Sequence, residues 1–114
     1  MVYYSTETKQ QPPLQNAHAP RFHAGRIVAT PAALEALGKT GENPLYYLAR
    51  HFRGDWGDVD EHDRSINDSA ITSGARILSA YTLRDGKTIW IITDAEIDNQ
   101  HHRQATTILL PEEY

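Results

Sequence analysis

Apolar residues recur with no regular period over the first twenty positions, where Gln10-Gln11-Pro12-Pro13 sits among further polar runs. Such a segment buries too little apolar surface to offset its ordering entropy, so residues 1–20 are expected to form a disordered arm, with Tyr3 and Tyr4 as its candidate anchors. Order is expected from about Phe22, giving a single domain over residues 21–114. The β-branched run Arg26–Thr30 reads as a short strand. Thr30-Pro31 is a helix start, with proline where its missing N–H does no harm, and Gly38 is the expected stop. Asn43-Pro44 repeats the start signal. Leu45, Leu48, Ala49 and Phe52 then recur at helical spacing, predicting a second helix that buries that stripe, puts Arg50 on the opposite face and ends at Gly54. A third helix is predicted from Asp58 as N-cap, with Glu61 completing an acidic capping box, a thin apolar face of Val59, Ile66 and Ala70, and Gly74 as its end.

The pattern then changes to strand. Ile77–Leu83 and Thr88–Thr93 flank Asp85-Gly86, a dipeptide suited to a two-residue hairpin turn. That turn pairs Tyr81 with Trp90 and Ser79 with Ile92, and places Ile89 and Ile91 on the face of Leu78 and Ala80. Both faces are substantially apolar, so helices are expected over one and partial cover over the other. A last strand, Ala105–Leu110, stops at Pro111. The fold class is therefore α+β: two to three short helices packed on a small, mainly antiparallel sheet of three to four strands.

Composition narrows the function classes. The chain has 114 residues, 39% of them hydrophobic, a net charge of −4 and no cysteine. That length suits one domain. The missing cysteines exclude disulfides, thiolate metal sites and a thiol nucleophile. The start, MVYYSTETK, has no basic-then-apolar signal pattern, and the apolar runs fall far short of the ~20 residues that span a bilayer. A cytoplasmic protein with no membrane association is expected. The acidic balance argues against constitutive nucleic-acid binding, since the only basic cluster is Arg50, His51 and Arg53.

Several runs resemble a family of small bacterial hypothetical proteins linked to plasmids and other mobile elements and lacking any assigned biochemistry. They are Ala49-Arg50-His51-Phe52-Arg53-Gly54-Asp55-Trp56-Gly57-Asp58, Arg76–Tyr81, Thr88–Thr93 and the ending Thr106-Thr107-Ile108-Leu109-Leu110-Pro111-Glu112-Glu113-Tyr114. The likeness runs from about Phe22 to Tyr114. It implies an accessory or anti-defence role. The loop Asp98–Gln104, with His101-His102, looks like an elaboration on the family's shorter connection.

Three constellations could carry function. Asp55, Asp58, Asp60, Glu61 and Asp63 surround Trp56, but Arg64 and Ser69 fall where a calcium loop from Asp58 needs glycine and a bidentate acid. Capping explains Asp58 and leaves Asp55 and Trp56 without a structural role, so Arg53, Asp55, Trp56 and Asp58 form the expected binding surface for a protein partner. His51, Arg53, His62 and Arg64 could instead cleave RNA without metal, two imidazoles serving as base and acid. His101-His102 could join a carboxylate on a metal, although adjacent strand residues face opposite ways. No cofactor or metal is expected. The leading expectation is a non-enzymatic interaction protein of a mobile element, for example an inhibitor of a host defence complex. The alternative is a small metal-independent ribonuclease of toxin type.

Overall fold

The computed structural model of the protein describes residues 2–3 and 19–114. The elements are β1 (Val2–Tyr3), β2 (Arg26–Ala29), α1 (Pro31–Thr40), α2 (Pro44–Phe52), α3 (Glu61–Ser73), β3 (Ile77–Thr82), β4 (Thr88–Thr93), β5 (Ala105–Leu109) and a 3₁₀ turn at Pro111–Glu113. The strands form one mixed sheet in the order β1-β2-β5-β4-β3. Only β2 and β5 run parallel; the other pairs are antiparallel. The α+β class holds. Most of the arm expected over residues 1–20 lies outside the described residues, but Val2–Tyr3 pairs with β2 along one edge.

Local chemistry builds the helices. Thr30 Oγ1 accepts the Ala33 N–H at 3.0 Å, and Asn43 Oδ1 accepts the Leu45 N–H at 2.9 Å, each ahead of a proline. Gly38 does not stop α1. The helix runs on to Thr40 and closes at Gly41, which adopts φ 71° while Glu42 N–H reaches back to the Leu37 carbonyl. Gly54 ends α2 as expected, with φ 89° and its N–H on the His51 carbonyl. In α3 the cap is Asp60 rather than Asp58: its carboxylate accepts the Asp63 N–H at 2.8 Å.

The buried stripe of α2 differs from the one its spacing predicts. Tyr47, Leu48 and His51 are buried, Phe52 is half-buried, and Leu45 and Ala49 face out. The short helix is rotated so that Tyr47 meets Tyr81 of the sheet, ring centroids 5.2 Å apart. In α3, Asn67 and Ala70 are buried while Ile66 is exposed.

The hairpin register is displaced by one residue. Gly86 N–H bonds to the Leu83 carbonyl and Leu83 N–H to the Lys87 carbonyl, with Gly86 at φ 90°. This is a three-residue loop, a type I turn followed by a left-handed glycine, in place of the expected two-residue turn. Tyr81 therefore opposes Ile89, and Ala80 opposes Trp90. A one-residue shift changes which side chains share a face. Tyr81 now lies with Ile89, Ile91, Ile108, Ile27 and Ala29 on the face that meets α1 and α2, where the main core forms, and Ser79 and Ile77 share that face, Ile77 in a second cluster with Trp56 and Ala70. Leu78, Ala80, Trp90, Ile92, Leu109 and Val28 alternate onto the other face.

Candidate functional site

The Gly54–Asp58 segment closes the free edge of β3. Ala80 N–H donates to the Trp56 carbonyl at 3.1 Å, and Asp58 N–H donates to the Ala80 carbonyl at 2.7 Å, a parallel bridge centred on Gly57. One turn along the same edge, the Asn67 side chain acts as a surrogate strand: Nδ2 donates to the Leu78 carbonyl and Oδ1 accepts the Leu78 N–H. These contacts satisfy backbone groups that an open edge would leave available for pairing.

Each residue of the segment has a place in that closure. Arg50 Nε donates to Asp55 at 2.7 Å, and this pairing holds the Asp55 carboxyl below its ordinary range. The same guanidinium stacks over the Tyr81 ring at 4.7 Å, while Tyr81 O–H donates to the Asp55 carbonyl. Trp56 is 1% exposed, packed with Ala70 and Ile77, and its Nε1–H donates to Asp68 at 2.9 Å. It is a core residue and not an exposed anchor. Asp58 accepts the Thr82 hydroxyl at 2.7 Å. Of the expected binding set, Arg53 and Asp58 stay at the surface, and Asp55 is partly exposed and paired with Arg50 of α2; Trp56 has structural partners that its sequence neighbours could not reveal, because those partners lie in α3 and β3.

The four-residue ribonuclease set is not assembled. His51 is fully buried. Its Nδ1 lies 2.6 Å from Ser79 Oγ and its Nε2 2.9 Å from Thr93 Oγ1, which continues to Thr106 Oγ1 at 2.8 Å and from there to the Ala24 carbonyl. One proton per hydroxyl fixes the polarity of this chain. Thr106 donates to Ala24, so Thr93 donates to Thr106, His51 Nε2–H donates to Thr93, and Ser79 O–H donates to an unprotonated Nδ1. Burial, followed by the charge of Arg103, pushes the His51 imidazole down to about 3. A neutral ring sealed among Phe22, Phe52 and Trp56 cannot exchange protons with a substrate. His62 and Arg64 are exposed on α3, with Arg64 directed to the Val59 carbonyl.

His101 and His102 each take their own carboxylate: His101 Nδ1 on Glu96 at 3.0 Å and His102 Nδ1 on Asp98 at 2.8 Å. Among the described residues no three histidine, aspartate or glutamate side chains are placed to hold a metal ion together.

On the sheet face away from α1 and α2, Ala80, Ile92 and Leu109 are buried. Trp90 and Leu78 are half-buried there, and Tyr114 meets Trp90 edge-on with ring centroids 5.7 Å apart. The Arg76 guanidinium lies 5.3 Å over the Tyr114 ring and also donates to its hydroxyl. Beside them a cavity of about 170 Å³ opens between Ile66, Asn67 and Leu78, rimmed by Asp63 and Arg76. Ile66 is 46% exposed and Tyr114 68%. Sequence reasoning missed Ile66, Arg76 and Tyr114, though the apolar character of both hairpin faces was the signal pointing to them. No helix among the described residues is long and apolar enough to cross a membrane. Compared with protein-family models, curated proteins and solved structures, the chain matches none of the three.

Proposed function

We propose that this is a non-enzymatic interaction protein that engages a protein partner through the surface around Trp90, Tyr114 and Ile66, acting as an accessory factor of a mobile element and inhibiting a host defence complex. The observation that carries the binding reading is the combination on that surface: Trp90, Tyr114 and Arg76 in one stack, next to a side-chain-sized cavity floored by Leu78 and edged by Ile66. Aromatic residues and arginine around an apolar recess are the usual composition of a binding hot spot, with charged neighbours at its rim. Asp63 and Arg76 supply that rim. The buried state of His51 weighs against the two-histidine ribonuclease. The mobile-element setting follows from the family resemblance alone.

The test is affinity capture from a bacterial host with the native chain, Ile66→Glu and Tyr114→Ala. Both side chains are largely exposed, so both variants should fold, which thermal melting checks. A partner recovered stoichiometrically with the native chain and lost with both variants supports the reading. Recovery that is unchanged in both variants moves the interface elsewhere. Toxicity on expression that requires His62 would replace the binding reading with the nuclease one.

A further inference from the structure

A second recess, of about 430 Å³, lies where the segment before β2 meets the end of α3 and the loop between β4 and β5. Its size is within the range of small-ligand sites. Phe22 and Ile71 give it an apolar wall; Arg21, His23, Thr72 and His101 give it polar groups. His23 Nδ1 accepts the Arg103 N–H at 3.0 Å, which leaves Nε2 as the hydrogen-bearing nitrogen of the neutral ring. Glu96 also lines the recess, but it is engaged already, accepting from His101 at 3.0 Å and lying 3.7 Å from Arg103.

Behind the Phe22 ring, 5.6 Å from its centroid, lies the guanidinium carbon of Arg103. Arg103 is buried and donates to three backbone carbonyls, those of Ala70, Ala75 and Asp94, while its Nε has no partner. Among the described residues Glu96 is the carboxylate paired with the buried Arg103, which leaves Arg21 as the arginine that lines the recess. His101 holds φ at 67°, a left-handed conformation that a non-glycine residue keeps where surrounding structure demands it.

We propose that this recess binds a small organic anion, with its anionic group at Arg21 and the His23 Nε2–H and its apolar body against Phe22 and Ile71. The site is independent of the sheet face. The test follows amide resonances of the full chain during titration with benzoate, benzyl alcohol and inorganic phosphate, in the native protein, Arg21→Ala and Lys39→Ala. Benzoate should give saturable shifts at Phe22, Ile71 and Thr72 with millimolar affinity, roughly tenfold tighter than either single-feature probe. Arg21→Ala should weaken benzoate by about tenfold and leave benzyl alcohol unchanged; Lys39→Ala, the same loss of charge on α1 outside the recess, should retain benzoate binding. The proposal is overturned if benzoate gives no saturable shift at these residues, if benzyl alcohol or phosphate binds as tightly, or if Arg21→Ala binds benzoate like the native chain.

Discussion

Gly57 and Ala80 face each other across a parallel bridge so close that a Cβ at Gly57 would stand 2.0 Å from the Ala80 carbonyl oxygen. The Tyr81 ring would be 2.7 Å from the same atom, and Gly57 itself adopts φ 76°. Steric room and backbone conformation both demand glycine here, and the bridge it permits is what seals β3.

Gly57→Ala should therefore destabilise the protein by about 2–4 kcal/mol, combining left-handed strain with displacement of the edge segment. Urea unfolding measures it. A loss under about 1 kcal/mol would show that the segment detaches from Ala80 at little cost.

Gly38→Ala should do the opposite. Gly38 lies inside α1 on an exposed face, with nothing within 4 Å of an added Cβ. Alanine there should stabilise by about 0.5–1 kcal/mol through its better helix propensity. A destabilised variant would mean that α1 ends at Gly38 after all.

Trp56→Ala should cost about 3–5 kcal/mol, the range for removing a large buried aromatic. Asp68→Ala should cost about 0.5–1.5 kcal/mol by removing the acceptor of the indole N–H. A well-folded Trp56→Ala protein with near-native stability would restore Trp56 as a surface residue.

His51 should make the fold acid-sensitive. Its imidazole ordinarily titrates near 6.5 and is pushed to about 3 in the folded chain. Below 6.5 the unfolded chain binds a proton that the folded one refuses, so stability falls as pH drops from 6.5 toward 3, by up to about 1.4 kcal/mol per pH unit. The lowered carboxyls of Glu42, Asp55, Asp98 and Glu113 add their losses below their ordinary values of 4.5 and 3.8. The interval from 6.5 to 4.5 is thus the place to see His51. Denaturation across that interval should show a smaller slope in His51→Gln, whose amide can donate to Thr93 and accept from Ser79 without titrating. Equal slopes would mean that the ring is protonated at no cost.

Much of the fold is legible wherever one residue and its immediate neighbours decide the outcome. Thr30 and Asn43 cap their helices because a hydroxyl or amide oxygen reaches an N–H two or three residues on. Gly54 and Gly74 end theirs because the left-handed turn is local. Legibility fails where two local solutions are equally good. Asp58 and Asp60 are both competent caps, and the choice is made by Ala80 and Thr82, which engage Asp58 from across the sheet edge. The candidate site was harder still, because exposure depends on what packs against a side chain. Trp56 between two Gly-Asp pairs looks like an anchor until α3 supplies Asp68 and Ala70 around it.

The amino-acid sequence by itself determined the α+β class, the order of helices before the hairpin, the caps at Thr30 and Asn43, and the absence of thiol chemistry, since each follows from composition or from interactions within a few residues. Only the tertiary structure decided the rest. The three-residue loop at Gly86 set which hairpin faces meet the helices; the β2–β5 pairing joined segments nearly eighty positions apart; and packing against the sheet and α3 buried Trp56 and His51. Backbone pairing and side-chain burial are free energies of contact between distant parts of the chain, and a local pattern carries no record of which distant part arrives.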